Sequence, residues 1–324
     1  MPNTKFLTVK KLIEERKDYL EIAIISGKSG LHNKIRKTRI QRPGLALSGY
    51  MDKMDPQRIQ VLGSTELAYL ASLEAERRRE ILATITGFPL CCILITKGLE
   101  PPPELLELSE QRGVPIIRSV LQSSILIRRL TYYLEEELAE EMSVHGSLLD
   151  VFGLGVLMLG KSGIGKSECA LDLLDRGHQV VADDIVKISL WPPDTLIGSG
   201  YDLTRYHLEI RGIGIIDVRA LFGVASVRKK SKVELAIVLD EWKKTEEENR
   251  TGLEENTTEF LGVQIPMIRM PLAPGRNMGV IIEVAVRNFL LKREGINSAM
   301  VLDRQVKMNS VKKKSAGKGR TGRM

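Results

Sequence analysis

The segment that most constrains the fold is a glycine-rich run near the middle of the chain, which fits the phosphate-loop pattern G-x-x-x-x-G-K-[S/T]. It consists of Gly160, Lys161, Ser162, Gly163, Ile164, Gly165, Lys166 and Ser167. The apolar residues 156–159 predict a buried strand before it, and residues 168–174 predict a helix that Gly177 can end. In such a loop the backbone N–H groups and the helix N-terminus face phosphate oxygens, Lys166 reaches the β- and γ-phosphates, and Ser167 binds Mg²⁺. The pattern therefore predicts a nucleoside triphosphate site.

Length and composition favour a folded protein of two domains. The chain has 324 residues, of which 43% are hydrophobic, enough for two cores. No apolar stretch approaches the roughly 18 residues of a membrane-spanning helix, and the amino terminus lacks the apolar segment of a signal peptide. We therefore expect a cytoplasmic protein without a membrane partner. Cys91, Cys92 and Cys169 lack C-x-x-C spacing, which argues against disulfides and zinc sites.

Positive charge is concentrated at the carboxy terminus. The net charge is +7, and residues 311–324 contain six basic and no acidic side chains, so the rest of the chain is nearly neutral. A tail of this composition is most often disordered and solvated, with RNA or an anionic surface as the less favoured partner. A second basic patch, residues 34–42, lacks the interleaved aromatic residues that single-strand binders use for stacking. We therefore do not expect nucleic acid as a partner.

The predicted elements form two α/β regions. In the first, predicted helices alternate with predicted strands, which indicates a small α/β domain with some parallel pairing. The helices cover residues 9–16, 64–83 and 104–112, and the strands cover residues 21–26, 90–96 and 114–118. Leu130, Leu134 and Leu138 lie at i, i+4 and i+8, which predicts a helix over residues 127–142 that connects the domains.

The second region is richer in strands and ends in a helix. The predicted strands cover residues 148–151, 156–159, 180–182, 186–190, 208–211, 213–218 and 235–239, and the helix covers residues 280–292. Residues 243–259 are dense in charge, Thr and Asn, which predicts a mobile surface segment. We place the domains at residues 1–135 and 136–310, followed by the tail, residues 311–324.

Two carboxylates follow a strand close to the phosphate loop. Asp183 and Asp184 come directly after the predicted strand 180–182, at the sheet edge where the loop is also expected. One carboxylate could orient a water on the metal while the other accepts a hydroxyl proton, as phosphoryl transfer requires. A turn-capping role is the less favoured alternative.

Other candidates have a structural interpretation as well as a catalytic one. A histidine such as His145, on the strand leading toward the loop, is by itself more often structural. Glu209 and Arg211 share one face of a predicted strand, where an ion pair is favoured over a place in the site. Arg250 and Arg276 supply cations in loop contexts, which suits phosphate recognition without being specific to it.

Long sequence strings carry a resemblance that covers nearly the whole chain. They are His145-Gly146, Gly165-Lys166-Ser167-Glu168, residues 176–184, residues 208–218, Pro274-Gly275-Arg276-Asn277 and, in the first half, residues 42–45, 58–63 and 113–115. Together they resemble the bifunctional HPr kinase/phosphorylase family, whose members phosphorylate a serine of the bacterial phosphocarrier protein HPr. The resemblance implies a small amino-terminal α/β domain and a P-loop kinase domain like the phosphoenolpyruvate carboxykinase nucleotide-binding core.

The resemblance also implies roles for individual residues. His145, Lys166, Asp184 and Arg250 would be active-site residues, and Ser167 and Glu209 would bind Mg²⁺. Asp184 would act as a base in phosphorylation and as an acid in the reverse reaction. A loop used in dephosphorylation would consist of Pro271, Leu272, Ala273, Pro274, Gly275 and Arg276.

Cofactors and partners follow from the same resemblance. It implies ATP, or pyrophosphate, with Mg²⁺ for phosphorylation, and inorganic phosphate for a reverse reaction that releases pyrophosphate. It further implies HPr or a related carrier as substrate, a carboxy-terminal helix that engages HPr, a hexamer that senses metabolites such as fructose 1,6-bisphosphate, and a role in regulating carbon metabolism. A nucleotide-binding switch and a small-molecule kinase are the alternative functions, which transfer of labelled γ-phosphate to a small partner protein would discriminate.

Overall fold

The structure is a computed structural model that describes residues 5–241, 256–272, 275–301 and 308. The predicted site residues Arg250, Ala273 and Pro274, and the tail 311–324, lie outside these ranges. The chain separates into two compact units, with the division after Glu140. Within the described ranges, no helix combines the length and the apolar character needed to cross a membrane.

The first unit is a four-stranded sheet with helices on both faces. Its elements are β1 (Leu7–Thr8), α1 (Val9–Leu20), β2 (Ile22–Ser26), β3 (Lys34–Ile35), α2 (Gly44–Leu47), β4 (Gln60–Leu62), α3 (Ser64–Ser72), α4 (Ala75–Thr86), β5 (Ile93–Ile95), α5 (Pro103–Arg112), β6 (Ile116–Ser119) and α6 (Ser123–Leu138). The sheet order is β2-β6-β5-β4, in which β4, β5 and β6 are parallel and β2 is antiparallel. The parallel pairing expected from the sequence is thus present.

Two apolar clusters hold this unit together. Leu12 of α1 and Leu130 of α6 are fully buried in a cluster on one face of the sheet. Leu70 of α3, Leu82 of α4 and Leu105 of α5 are buried in a second cluster on the other face. Burial of apolar area on both faces explains why the short strands β4 and β5 are apolar at every buried position except Gln60.

The second unit contains the phosphate loop. Its elements are β7 (Glu140–His145), β8 (Ser147–Val151), β9 (Leu154–Gly160), α7 (Lys166–Asp175), β10 (Gln179–Ala182), β11 (Ile185–Trp191), β12 (Thr195–Ser199), β13 (His207–Ile210), β14 (Gly214–Asp217), α8 (Val218–Phe222), β15 (Lys230–Lys232), β16 (Leu235–Glu241), β17 (Asn256–Phe260), β18 (Val263–Leu272) and α9 (Met278–Arg293). A six-stranded sheet has the order β10-β8-β9-β16-β18-β17, and a four-stranded sheet has the order β15-β12-β11-β7.

The six-stranded sheet is covered differently on its two faces. Leu173 of α7 and Ile282 of α9 are fully buried in a cluster with strand residues such as Ile237. On the opposite face, Leu157 packs with Ile188 and Leu196, which belong to the four-stranded sheet. The second unit is therefore a layer of helices, a mixed sheet and a second sheet, in agreement with the mixed α/β class expected from the sequence.

The helix predicted over residues 64–83 is two helices. Leu73 and Glu74 between α3 and α4 both have extended backbone conformations, with ψ of 150° and 148°. The Ser72 hydroxyl donates to the Tyr69 carbonyl at 2.7 Å, which satisfies an acceptor at the end of α3. The Leu73 side chain packs against the apolar cluster beneath it. Packing of this one leucine therefore interrupts a segment whose local pattern is helical throughout.

The helix predicted over residues 127–142 is wrong at its carboxyl end. Helix α6 ends at Leu138, and Glu140–His145 form strand β7. Met142 continues the i+4 spacing of the leucines, but it packs with Val144 in the core of the second unit. Met142 and Val144 are two residues apart, whereas Glu141, Ser143 and His145, which alternate with them, are exposed. A strand pattern therefore begins where the helical one ends.

The carboxyl end of the segment predicted to be mobile, residues 243–259, is also ordered. Asn256–Phe260 form strand β17, which pairs antiparallel with β18. Residues 243–255 of that segment lie outside the described ranges. Strands β12, β15, β17 and β18 were not predicted. Polar or glycine residues interrupt the apolar pattern of these strands, and β17 has a charged and polar composition that is typical of a loop.

Leu157→Ala should destabilise the second unit. The Leu157 side chain is 0% exposed at the centre of β9, so truncation loses transfer free energy and leaves a cavity, at a cost of about 2–5 kcal/mol. Leu203→Ala is the matched control, since Leu203 is 95% exposed and should change stability by less than about 0.5 kcal/mol. Urea unfolding followed by tryptophan fluorescence measures both. Equal midpoints for the two variants would contradict the burial assigned to Leu157.

Candidate active site

The eight residues of the glycine-rich loop connect β9 to α7. The loop leaves the sheet at Gly160 and enters the helix at Lys166. Gly163 and Gly165 have positive φ angles of 75° and 107°, which favour glycine. A Cβ on Gly160 would lie 2.7 Å from the carbonyl oxygen of Leu239, so the loop also needs glycine where it passes β16. This strand–loop–helix arrangement places backbone N–H groups and the helix N-terminus at one point.

Lys166 is held against its own loop. Its Nζ donates hydrogen bonds to the carbonyl oxygens of Gly160, at 3.1 Å, and Lys161, at 3.0 Å. These bonds keep the ammonium group over the loop, where phosphate oxygens would be more strongly charged acceptors than the two carbonyls. The Lys161 side chain, in contrast, is exposed.

Asp183 connects the phosphate loop helix to the sheet. The Ser167 Oγ donates to Asp183 Oδ2 at 2.8 Å, and the Ser147 hydroxyl donates to Oδ1. Burial raises the pKa of the Asp183 carboxyl, whereas the two hydroxyl donors favour its charged form and oppose that rise. Ser147 was not among the predicted site residues. The available signal was its position two residues after His145, beside the strand that leads to the loop.

Asp184 and His145 lie together at the surface of the same edge. The Asp184 carbonyl accepts a hydrogen bond from the Gly146 N–H at 3.0 Å, which ties the two segments together. His145 Nδ1 lies 4.0 Å from Asp184 Oδ1, and the two side chains are 82% and 78% exposed. Asp184 has a φ of 64°, a left-handed conformation that Asp tolerates better than most residues. A carboxylate and an imidazole are thus presented to solvent beside the phosphate loop.

Glu209 and Arg211 do not form the ion pair that the sequence favoured. Glu209 is exposed on β13, opposite Ile215 of β14, and no ion pair joins it to Arg211 within the described ranges. Arg211 lies instead against the phosphate loop, where a Cβ on Gly163 would be 3.0 Å from the Arg211 Cζ. Its guanidinium therefore adds a cation to the loop. The available signal was its position directly after β13, in the turn of the antiparallel β13–β14 hairpin, because loops often carry functional residues.

The predicted dephosphorylation loop begins at the same sheet edge. β16 pairs in parallel with both β9 and β18, and Leu239 is opposite Gly160 on one side and Met270 on the other. Pro271 and Leu272 follow Met270 at the end of β18, so this loop starts roughly 10 Å across the sheet from the phosphate loop, two strand spacings away. Gly275 and Arg276 precede Asn277, whose side chain caps α9 by accepting from the Val280 N–H at 3.0 Å.

The oxygen donors near the loop are suited to Mg²⁺. Hydroxyl and carboxylate oxygens are its preferred protein ligands, and it is usually bound through one or two of them together with substrate phosphates. Ser167, Asp183 and Asp184 supply such donors at one edge. Among the described residues, no group of three or more His, Cys, Asp and Glu side chains forms a preassembled metal site.

Cys169, in the first turns of α7, is unsuited to nucleophilic chemistry. Its side chain is buried in the apolar cluster beneath the helix. Burial, together with the neighbouring Glu168 and Asp172 carboxylates, raises the pKa of its thiol to about 11. The thiol is therefore almost entirely protonated at neutral pH, whereas the reactive species of a cysteine is the thiolate.

Both halves of the chain match known family models. The model of the HPr serine kinase N terminus matches residues 7–134, and that of the HPr serine kinase C-terminal domain matches residues 136–306. The HPr kinase/phosphorylase of Geobacter sulfurreducens is 43% identical over 297 residues, covering 92% of this chain and 93% of the relative. That of Bacillus licheniformis is 43% identical over 282 residues, covering 87% and 91%.

A solved structure of the Hpr(Ser) kinase/phosphatase from Coxiella burnetii is also similar. It is 39% identical, with a TM-score of 0.45, and the match covers 48% of this chain and 93% of that one. The two family models together span both compact units, and the relatives align along almost their full length. The chain therefore belongs to the HPr kinase/phosphorylase family.

Proposed function

We propose that this chain uses ATP and Mg²⁺ to phosphorylate a serine of HPr or a related phosphocarrier. In the reverse direction, it transfers that phosphoryl group to inorganic phosphate and releases pyrophosphate. The observation that carries the proposal is the 2.8 Å hydrogen bond from Ser167 to Asp183, next to Asp184. It joins a phosphate-binding loop and a pair of carboxylates at one sheet edge. Relatives that are 43% identical bear the name HPr kinase/phosphorylase, which supports the choice of substrate.

Nucleotide binding uses the loop as it stands. The β- and γ-phosphates accept from backbone N–H groups at the start of α7, and Lys166 exchanges its two carbonyl partners for phosphate oxygens. Arg211 approaches the same phosphates from the side of Gly163. Ser167 and Glu209 would hold Mg²⁺, which would neutralise charge on the phosphates, while Asp183 orients Ser167.

In the kinase direction, Asp184 accepts the proton of the substrate serine. The serine oxygen then attacks the γ-phosphorus, the bond to the ADP oxygen breaks, and ADP leaves. The exposure of Asp184 allows a side chain from another protein to reach it. His145 Nδ1 lies 4.0 Å from Asp184 Oδ1, so a small movement of either exposed side chain would bring the imidazole within hydrogen-bond distance and orient the carboxylate.

The reverse reaction uses the same groups in the opposite sense. Inorganic phosphate in the loop attacks the phosphoserine phosphorus, and the bond to the serine oxygen breaks. Protonated Asp184 donates its proton to that oxygen, and pyrophosphate leaves the loop. On the strength of the family resemblance, Pro271–Arg276 are proposed to favour this direction, and Arg250 is proposed to act in the active site.

Two exposed apolar surfaces support the proposed partners. Ile213, Ile215, Leu221 and Val224, on the β13–β14 hairpin and around α8, are all at least 65% exposed, which suits self-association into the proposed hexamer. On α9, Val280 and Val284 are exposed at i and i+4, with Leu291 seven residues further on. An exposed apolar stripe on one helix suits docking of HPr.

Other finer assignments rest on the sequence alone. They are the resemblance of the second unit to the phosphoenolpyruvate carboxykinase nucleotide-binding core, the domain limits at residues 135 and 310, and the cytoplasmic location.

The competing functions, a nucleotide switch and a small-molecule kinase, are tested by incubation with γ-labelled ATP and purified HPr. Label on a serine of HPr supports the proposal, and its absence contradicts it.

Lys166→Ala should remove phosphotransfer in both directions. Loss of the ammonium that stabilises phosphate charge should lower both rates by more than about 100-fold, while the fold persists because, among the described residues, its hydrogen bonds go to its own loop. Lys161→Ala also removes a cation from this loop, but the Lys161 side chain is exposed. This variant should therefore reduce the two rates at least tenfold less than Lys166→Ala does, by an amount comparable with the loss of one hydrogen bond. Circular dichroism checks the fold. Equal rates for the two variants would contradict the role of Lys166.

Ser167→Ala and Glu209→Gln should raise the Mg²⁺ concentration needed for half-maximal kinase rate. Each variant removes one proposed oxygen ligand. Glu259→Gln, an exposed carboxylate on β17, is the matched control and should leave the Mg²⁺ titration unchanged. A Glu209→Gln curve that superimposes on that of the control would remove Glu209 from the metal site.

Asp184→Asn should slow both directions by about 10²–10⁴-fold, the usual contribution of a general acid–base group. The amide neither accepts the serine proton nor supplies one to the leaving oxygen. Asp175→Asn, which changes an exposed carboxylate at the end of α7, should keep both rates. Pyrophosphate release from phosphoserine-HPr and phosphate, without nucleotide, measures the reverse reaction. A variant that loses only the kinase direction would show that the two reactions do not share Asp184.

A further inference from the structure

The carboxylate of Asp172, on the helix that follows the phosphate loop, binds the helix that follows the proposed dephosphorylation loop. Its Oδ2 accepts a hydrogen bond from the Gly279 N–H at 2.9 Å. Gly279 is the second residue of α9, which begins two residues after Arg276. Asp172 lies five residues after Ser167, roughly 7.5 Å further along α7. One hydrogen bond therefore connects the phosphate-binding helix with the carboxyl end of the second loop.

The first turn of α9 needs hydrogen-bond acceptors from outside the helix. The N–H groups of a first turn have no carbonyl partner within their own helix. The Asn277 side chain accepts from the Val280 N–H at 3.0 Å, and Asp172 accepts from Gly279. A carboxylate is also the favoured charge at the amino end of a helix. Asp172 thus acts as a cap that α7 supplies to another helix.

The close approach of the two helices requires glycine at position 279. A Cβ there would lie 2.1 Å from Asp172 Oδ2 and 2.7 Å from Asp172 Cγ, closer than real Cβ contacts come. The next nearest atom is Arg176 Nε, at 2.9 Å, which belongs to a flexible side chain. The backbone at this position is helical, and glycine is a poor helix former. Its presence is therefore explained by the contact with Asp172.

A charged network fixes the Asp172 carboxylate and continues along α9. Arg176 Nε donates to Asp172 Oδ1 at 3.1 Å, and Arg176 Nη1 lies 4.0 Å from Glu283 Oε2. His178 Nε2 lies 2.9 Å from Glu283 Oε1, and both of these side chains are largely buried. Gly279 and Glu283 are four residues apart, so the contacts lie on one face of α9. Polar groups from α7 and from the segment after it thus hold α9 at two successive turns.

The catalytic groups are held by other contacts. Ser167 is bonded to Asp183 at 2.8 Å, and the Lys166 ammonium is bonded to carbonyl oxygens of the phosphate loop. α7 itself packs on the sheet through the fully buried Leu173. Loss of the Asp172 carboxylate should therefore release the first turn of α9 and the loop before it, while the phosphate loop stays in place.

We propose that Asp172 is a positioning residue for the phosphorylase reaction. Its carboxylate fixes the first turn of α9, and with it Arg276, relative to the phosphate that binds at the start of α7. Attack of inorganic phosphate on phosphoserine requires the reacting groups in a narrow range of geometries, so a released loop should slow this step. The part of the loop in dephosphorylation rests on the proposed function, whereas the contact between Asp172 and Gly279 does not.

Asp172→Ala should lower the phosphorylase kcat by about tenfold, the effect of one lost hydrogen bond to a charged group, and the kinase kcat by less than about twofold. The KM for inorganic phosphate and the Kd for a non-hydrolysable ATP analogue should change by less than about twofold, because the phosphate loop is unaltered. Asp175→Ala removes an exposed carboxylate from the same helix and is the matched control. Equal losses in both directions, or equal phosphorylase rates for the two variants, would overturn the proposal.

Gly279→Ala tests the contact from the other helix. The added Cβ displaces the Asp172 carboxylate, so this variant should lose as much phosphorylase kcat as Asp172→Ala. In the Asp172→Ala background the same substitution meets the flexible end of Arg176 and should cause no further loss. Residues in contact show such non-additive effects, whereas the losses of independent residues multiply. A double variant that is slower by about 100-fold, the product of two tenfold losses, would contradict the contact.

Hydrogen exchange tests the contact without catalysis. The Gly279 N–H has no acceptor within α9, so its protection reports on the bond to Asp172. Exchange should be about tenfold faster in Asp172→Ala and unchanged in Asp175→Ala. Unchanged exchange in Asp172→Ala would remove Asp172 from this role whatever its rates. Absence of both activities from the wild type would instead contradict the proposed function, and the exchange rates would still decide whether Asp172 holds α9.

Discussion

The hydrogen bonds accepted by Asp183 join three segments on which the arrangement of the site depends. The carboxylate receives the hydroxyls of Ser147, at the start of β8, and Ser167, in the first turn of α7. Burial raises the pKa of Asp183, and the two hydroxyl donors oppose that rise by stabilising the charged form. The position of the first turn of α7 is therefore tied to the strand edge that presents Asp184. Loss of either hydroxyl would leave a half-buried carboxylate with one partner fewer.

Strand register brings the remaining parts of the site to the same edge. Gly160, Leu239 and Met270 stand in one row across β9, β16 and β18. The chain leaves the sheet directly after Gly160 as the phosphate loop, and β18 ends two residues after Met270, at Leu272. A shift of one residue in the pairing of β18 would turn its side chains to the opposite face and move the segment that follows it along the edge. The buried Ile237 of β16 and Ile265 of β18 oppose such a shift.

The sequence predicted those parts of the fold that local chemistry determines. The glycines of the phosphate loop need positive φ angles or close backbone approach whatever surrounds them, so their pattern identified the strand, the loop and α7. The end of α6 was not predictable in this way, because Met142 fits the i+4 spacing of the preceding leucines and also the period of two in β7. Only its packing with Val144 in another core distinguishes the two. The break at Leu73 likewise coincides with packing of its side chain against an apolar cluster of the first unit.

Site residues divide in the same way, into those that local sequence patterns predict and those that depend on tertiary position. Lys166, Ser167 and the carboxylate pair lie next to elements with strong local patterns, and the structure brings them together. Arg211 was paired with Glu209 because two residues of opposite charge share one strand face, but the strand ends at Ile210 and the chain then directs Arg211 toward Gly163. Tertiary position therefore outweighed an exposed ion pair, which contributes only about 0–1 kcal/mol.

The openness of the catalytic edge bears on the nature of the substrate. Asp184 and His145 are both about four-fifths exposed, and phosphoryl transfer in contact with bulk water invites hydrolysis of the nucleotide. A kinase for a small molecule must exclude that water with parts of its own chain. A protein substrate can do so with its own surface when it docks on the apolar stripe of α9 and covers both side chains. The exposure of the proposed base, together with an exposed apolar helix in the same unit, favours a protein over a metabolite as the acceptor.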